Sequence, residues 1–193
     1  MSTDQAFDDR LNQVLPRLRS EQFLKSKGLG NEIAFHIFDY PADRELQVRK
    51  HIEFLIEKLS NGSPKVKVHH VNLLDVVVEH LKDRGFLEQV FEMQREEGDA
   101  AVLGALRGEL DAERVAEIFV EAAKPNECEV LLVSGIGSVY PLIRTHQLLN
   151  NLHPLIPSTP VVFFYPGTYD GQHFHLFGRL SGDNYYRAFK LVS

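Results

Sequence analysis

The chain has 193 residues, a formal net charge of -6 at pH 7 and a single cysteine. This length fits one domain with a sizeable core, and the acidic balance argues against nucleic-acid binding, which usually shows as a basic face. The lone cysteine, Cys128, excludes an internal disulfide framework and suits a reducing compartment. The N-terminus lacks the apolar segment of a signal peptide, and no apolar run is long enough to span a bilayer. We therefore expect a cytoplasmic protein with no membrane partner.

The first part of the chain predicts alternating helices and strands. Apolar residues recur at helical spacing over residues 7–18, where Pro16 should kink the helix or begin a second segment. Residues 33–39 are apolar at nearly every position, which is typical of a strand covered on both faces. Asp43 is a candidate cap for the next helix, whose apolar stripe spans residues 48–59. Alternation over residues 66–71 predicts a strand near a sheet edge.

The middle of the chain predicts a helical elaboration at about residues 84–108. A short helix over residues 73–81 comes first, and two acidic helices separated at Gly98 follow it. Asp111 is placed to cap a further helix, which ends near residue 124. These helices are expected to elaborate the connection between two strands.

The last third predicts two buried strands. Residues 130–133 form the first, and Pro141 is expected in the first turn of a helix that ends near residue 152. Residues 161–165 form the most hydrophobic strand, expected at the centre of the sheet. Residues 166–171 predict a turn, residues 172–177 a final strand, and residues 183–193 either a helix or a strand.

Strands that alternate with helices predict an α/β fold. We expect a three-layer sandwich with an open, mostly parallel sheet, Rossmann-like or P-loop-like but without nucleotide motifs, formed by residues 1–193 as a single domain. In such sheets, ligands and partners bind beyond the carboxyl ends of the strands.

A glycine turn follows the strand at residues 130–133. It reads Gly-x-Gly-x-x-Tyr from Gly135 and Gly137 to Tyr140, so the third glycine of a dinucleotide fingerprint is missing. No Gly-x-x-x-x-Gly-Lys-Ser/Thr motif occurs in the chain. The two glycines either permit a tight turn and close helix packing or, with Ser138, cradle a phosphate.

Polar and aromatic side chains follow two successive strands and should meet at one edge of the sheet. The candidate binding residues are Gly135, Gly137, Tyr140, Arg144, His146, Asn150, Tyr169, Asp170 and Gln172. Arg144 is expected one turn into the helix, close to the mouth of the crevice. The alternative is a structural network that satisfies the loop backbones.

We predict no catalytic residue, no metal and no cofactor. Ser134 is not in a Gly-x-Ser-x-Gly motif, and adjacent His69 and His70 point to opposite faces of a strand. His173 and His175, with Asp170 nearby, could hold a metal, but no third ligand is spaced convincingly. Asp39, at a strand end, could bind a ribose or a metal, or it could cap the turn before Pro41.

Long motifs in both halves of the chain resemble the BrxB family. They comprise residues 37–41, 48–49, 135–146, 149–152, 164–172, 176–177 and 184–189. The resemblance implies a small component of BREX, the bacteriophage exclusion systems. These systems pair a DNA adenine methyltransferase with a large ATPase and with PglZ, a protein of the alkaline-phosphatase superfamily.

The resemblance brings no catalytic residue and implies binding to other BREX proteins, with PglZ as the favoured partner. We therefore expect a non-enzymatic subunit of a phage-defence complex that acts through protein–protein interaction. The alternative hypothesis is an enzyme or sensor that binds a nucleotide or phosphorylated ligand at the Gly135–Ser138 turn, with Arg144 supplying positive charge. Direct nucleic-acid binding is not expected.

Overall fold

The computed structural model describes residues 3–24, 35–181 and 188–192. Within these ranges, eight α-helices and seven strands are present. The helices are α1 (Thr3–Arg19), α2 (Glu21–Leu24), α3 (Glu45–Asn61), α4 (Leu73–Asp83), α5 (Leu87–Glu97), α6 (Asp99–Leu106), α7 (Ala112–Ala123) and α8 (Thr145–Leu152). The strands are β1 (Phe35–Tyr40), β2 (Val68–Asn72), β3 (Val130–Ser134), β4 (Val161–Tyr169), β5 (Phe174–Leu176), β6 (Leu180–Ser181) and β7 (Phe189–Lys190). The predicted start of the first strand, at residues 33–34, and most of the open segment, at residues 183–187, lie outside the described residues.

The sheet is mostly parallel and has the strand order β2-β3-β4-β1-β7. All four of these pairings are parallel, whereas β5 pairs antiparallel with the end of β4, and β6 with β5. The prediction of an open, mostly parallel α/β sheet is confirmed. The strand after residue 160 lies between β3 and β1, as expected of the most apolar strand, and β2 lies at the end of the strand order.

Helices cover both faces of the sheet, which makes three layers. Along β1, Phe35 and Ile37 belong to one apolar cluster while Phe38 and Tyr40 belong to the other. The first cluster packs against α4 to α8, and the second against α1, α2 and α3. Both faces are therefore buried, which explains why the central strands lack polar alternation.

Pro16 lies inside α1 and does not begin a new segment. The helix runs from Thr3 to Arg19 through the proline, and α2 begins only after Ser20. A proline inside a helix costs about 3 kcal/mol, but four side chains of α1 are buried against the sheet, each worth roughly 1.5–3 kcal/mol. These are Phe7, Leu11, Val14 and Leu18. Burial therefore outweighs the lost hydrogen bond.

The predicted turn at residues 166–171 is wrong, because β4 continues to Tyr169. Pro166 stands where the parallel ladder ends, opposite Tyr40, and Gly167 begins the antiparallel pairing with Leu176. A Cβ atom at Gly167 would overlap the His175 carbonyl oxygen. Proline and glycine thus mark a change of strand partner, and the turn lies after Asp170.

Two helices lie on either side of Gly98, as the sequence predicts. Gly98, with a φ of +84°, separates α5 from α6, and Leu106 reaches the core. Asp111 caps α7 by accepting hydrogen bonds from the backbone N–H groups of Glu113 and Arg114, both at 3.0 Å. The expected cap at Asp43 is wrong, because α3 follows Arg44 without a side-chain cap.

Candidate functional site

The glycine turn after β3 and the extension of β4 meet at the carboxyl edge of the sheet. β3 ends at Ser134, and the chain turns through Gly135 into a short 3-10 helix, Gly137–Val139. The ring of Phe177, which follows β5, lies against this turn, 2.9 Å from where a Cβ atom of Gly137 would stand. The two segments that the sequence assigned to one edge therefore lie side by side.

Both glycines of the turn allow close packing. Gly135 has a φ of +75°, which strains any other residue, and a Cβ atom there would overlap Asn72 Oδ1. That oxygen accepts a hydrogen bond from the N–H of Leu74 at 3.0 Å and caps α4. A Cβ atom at Gly137 would lie 2.8 Å from Pro166 Cγ. Neighbouring side chains thus occupy the space beside both α-carbons, so close packing by itself accounts for both glycines.

The helix after the turn begins later than predicted. Tyr140 has an extended backbone (φ -74°, ψ 137°), as is usual for a residue before proline, and α8 begins only at Thr145. Pro141 is therefore outside the helix, and Arg144 is the residue just before it rather than one turn inside. The glycine turn leads into a three-residue 3-10 helix and not directly into an α-helix, so it differs from the strand–turn–α-helix arrangement that commonly binds phosphate.

Among the residues that the structure describes, three large side chains at this edge are exposed, and we call them the rim surface. They are Tyr140, Arg144 and Phe177, and the two rings are 36% and 41% exposed. Among the described residues, Arg144 has no ion-pair partner. Exposed aromatic and arginine side chains are the types most enriched at the energetic centres of protein interfaces.

Two other candidates lie on α8, whose buried side is formed by leucines. His146 is half-buried, and its burial together with the neighbouring charge of Arg144 lowers its pKa. Asn150 is exposed. Both residues follow Tyr140 and Arg144 in the chain, and His146 is close enough to Arg144 for the arginine charge to affect it.

The three candidates after β4 have different roles in the structure. Tyr169 is only 1% exposed, and its hydroxyl donates to the carbonyl oxygen of Ala188 at 3.0 Å and accepts from its N–H at 2.8 Å. Asp170 accepts hydrogen bonds from the N–H groups of His173 and Gln172, which lower its pKa to about 2. Of the three, Tyr169 fastens the C-terminal segment, Asp170 shapes the turn, and Gln172 is exposed.

Asp39, at the end of β1, is fully engaged with the protein itself. One carboxylate oxygen pairs with Arg10 of α1 at 2.5 Å, and the other accepts from the N–H of Tyr169 at 3.0 Å. The side chain therefore ties α1 to β4. It does not cap the turn before Pro41, and its oxygens are not presented to a ribose or a metal.

Ser134 and His70 form a pair that sequence reasoning missed. Their side chains share one face because His70 lies opposite Leu132, two residues before Ser134, and His70 Nε2 is 2.8 Å from Ser134 Oγ. Burial lowers the pKa of His70, while the charges of Asp75 and Glu53 oppose this. Only knowledge of which strands are neighbours could have revealed this pair.

This Ser–His contact has part of the geometry of an activated nucleophile. A catalytic serine needs a base, a group that orients the base, and donors for the developing oxyanion. Among the described residues, no carboxylate hydrogen-bonds to His70, and Ser134 is only 6% exposed. The contact provides a hydrogen-bond partner for each of two polar side chains near the ends of β2 and β3.

The histidines near β5 do not build a metal centre in the part of the chain that the structure describes. His173 Nδ1 lies 3.3 Å from Asp170 Oδ2, and His175 is half-buried on β5. Within the described ranges, no three His, Cys, Asp or Glu side chains are grouped so as to hold a metal ion. Among the described helices, none has the length and apolar composition that crossing a bilayer requires.

The fold and the carboxyl edge of the sheet define an α/β protein. Its sheet is mostly parallel, and its glycine turn packs closely against Asn72, Pro166 and Phe177. The family model described as "BREX protein BrxB" matches residues 69–191. A BREX protein BrxB from Bacillus cereus (strain H3081.97) is 39% identical over 189 residues, which cover 96% of this chain and 97% of that protein. One from Escherichia coli O9:H4 (strain HS) is 34% identical over 189 residues, 98% of this chain and 93% of that protein.

The chain therefore belongs to the BrxB family, and it is a component of a BREX phage-exclusion system. The family resemblance found in the sequence is confirmed. No solved structure matches the chain.

Proposed function

We propose that this chain is a cytoplasmic, non-enzymatic subunit of a BREX complex that acts by binding a partner protein. The partner is PglZ, the alkaline-phosphatase-superfamily component that the family resemblance implies. Membership of the BrxB family supports a place in a BREX complex, and the exposed side chains of the rim surface support a binding role.

The observation that carries the proposal is the make-up of the rim surface. Tyr140, Arg144 and Phe177 expose two rings and a guanidinium that is unpaired among the described residues. Such side chains gain most when a partner removes them from water, because the rings bury large apolar areas and arginine forms directed hydrogen bonds. The turn beneath them is tightly packed, so the surface is held in place before binding.

The test is association with PglZ from the same operon, measured by co-purification and then by titration calorimetry. Arg144→Ala and Tyr140→Ala should each weaken binding by about 30-fold, which corresponds to the ~2 kcal/mol that an interface anchor contributes. Arg144 is exposed, so Arg144→Ala should keep the stability of the parent chain to within about 0.5 kcal/mol. Tyr140 is only 36% exposed, so Tyr140→Ala should lose about 1–2 kcal/mol of stability, and its affinity is measured at a temperature below its unfolding transition.

Matched controls come from α5, which contributes no residue to the rim surface. Arg95→Ala and Phe91→Ala remove an exposed arginine and an exposed aromatic ring of similar size, and neither should change the affinity for PglZ. Absence of association between the parent chain and PglZ at micromolar concentrations in moderate salt would refute the proposed partner. Equal losses in the rim variants and the α5 variants would refute the proposed surface.

A further inference from the structure

The outer edge of β2 has no strand partner among the described residues. β2 pairs only with β3 and ends the strand order. The carbonyl oxygen of Lys67 accepts a hydrogen bond from the N–H of Val130 in β3 at 3.3 Å. Because backbone groups of successive strand residues point to opposite sides, those of Val68 and His70 face away from β3.

A cavity of about 660 Å³ lies beside this strand, between α4 and α7. We call it the edge groove. β2 contributes His70, Val71 and Asn72 to its wall, and the buried side chains of Val71 and Val76 give it an apolar base. The edge groove therefore adjoins the outward-facing backbone at His70 and has a partly apolar lining, which suits an added strand.

Cations and carboxylates are unevenly distributed around the edge groove. At one end, His80 Nε2 and Arg84 Nε lie 2.9 and 3.4 Å from Glu109 Oε1, and Arg114 of α7 lines the groove without an ion-pair partner among the described residues. Asp75, Glu117 and Glu121 also have no ion-pair partner in the part of the chain that the structure describes. Five carboxylates line the groove, those of Asp75, Glu79, Asp83, Glu117 and Glu121, against two arginines, Arg84 and Arg114, so its lining carries net negative charge.

The spacing of the unpaired carboxylates fits an extended chain. Glu117 and Glu121 are four residues apart on α7, which corresponds to about 6 Å along a helix. Alternate side chains on one face of a strand are about 7 Å apart. Two basic side chains at positions i and i+2 of a strand could therefore each meet one of these carboxylates.

We propose that the edge groove binds a basic, extended segment of a partner protein, which adds to β2 as a new edge strand. Its backbone pairs with the outward groups of Val68 and His70, and its lysine or arginine side chains face Asp75, Glu117 and Glu121. This site is separate from the rim surface and does not depend on PglZ being the rim's partner.

The experiment uses a fluorescein-labelled peptide of about seven residues, a normal strand length, in which lysine alternates with valine. Fluorescence anisotropy with the full-length chain should show saturable binding with a dissociation constant of about 1 mM or below. The affinity should fall as salt is added, because exposed charge pairs are screened. A peptide with glutamate in place of lysine should not bind.

Two paired variants locate the site. Glu117→Gln combined with Glu121→Gln should weaken binding by roughly three- to tenfold, as expected for the loss of two exposed ion pairs. Glu92→Gln combined with Glu96→Gln on α5 changes the net charge equally, outside the groove, and should leave binding unchanged.

A backbone-methylated form of the lysine peptide separates strand addition from simple charge attraction. Methylation of alternate amides on the pairing edge removes the N–H donors, so its binding should be lost. The proposal is overturned if the lysine peptide does not bind, if both double variants bind it equally, or if the methylated peptide binds as well as the parent. None of these results bears on the association with PglZ through the rim surface.

Discussion

Tyr140 and Tyr169 lie at the same edge of the sheet, yet their surroundings are opposite. Tyr140 exposes its ring, whereas Tyr169 is buried and bonds through its hydroxyl to both backbone groups of Ala188. The sequence places both residues after strands, but it does not tell which way each side chain points. Tyr169 is therefore a structural member of the edge, and Tyr140 belongs to the rim surface.

This contrast leads to a prediction at the level of a single hydroxyl. Tyr169→Phe should lower the free energy of unfolding by about 1–3 kcal/mol, because it leaves buried N–H and carbonyl groups of Ala188 without their partner. The measurement is chemical denaturation of the variant and the parent chain. Tyr140→Phe is the matched control and should stay within about 0.5 kcal/mol. An unchanged unfolding curve for Tyr169→Phe would contradict the role assigned to this hydroxyl.

The elements that were predicted correctly are those with a strong local pattern. The apolar runs of β3 and β4, the break at Gly98 and the cap at Asp111 each follow from the residues of that element. The errors concern residues whose conformation depends on a neighbour. Pro166 and Gly167 have the composition of a turn, but they extend β4 because β5 folds back onto it. Likewise, Pro141 is compatible with a helix start, but α8 begins four residues later.

The glycine turn leads to a prediction that tests the hypothesis of nucleotide binding. Gly135 packs against Asn72, and Gly137 packs against Pro166 and Phe177, so we expect no bound phosphate at this element. A thermal-shift screen with nucleoside mono-, di- and triphosphates, with and without Mg²⁺, should leave the melting temperature unchanged. Binding at 100 times the dissociation constant would add about 2.7 kcal/mol. Such a shift, abolished in Arg144→Ala, would restore the nucleotide hypothesis.

At the level of the whole molecule, the two apolar clusters share one sheet. β1, β3 and β4 contribute alternate residues to both clusters. If the helices on one face separated from the sheet, the same strands that carry the other cluster would become exposed to water. We propose on this basis that residues 1–193 form one cooperative domain. We include α5 and α6 in this proposed domain as its elaboration, since Leu106 is part of the same core.

This proposal is tested by equilibrium unfolding in denaturant. The chain contains six tyrosines and no tryptophan, so tyrosine fluorescence can report on packing while circular dichroism reports on helix content. The two curves should coincide, as they do for a two-state domain. A separate transition for the helix signal would show that the elaboration unfolds by itself.

The short strand β7 forms the edge of the sheet opposite β2. Phe189 and Lys190 pair with His36 and Ile37 of β1, and the N–H of Leu191 bonds to the carbonyl oxygen of Ile37 at 2.9 Å. Every residue of β1 is buried, and an uncovered apolar strand invites pairing with other chains. Truncated versions made to map binding regions should therefore retain residues 188–192. A shortened chain that aggregates would lose binding to its partner even if the binding region itself were intact.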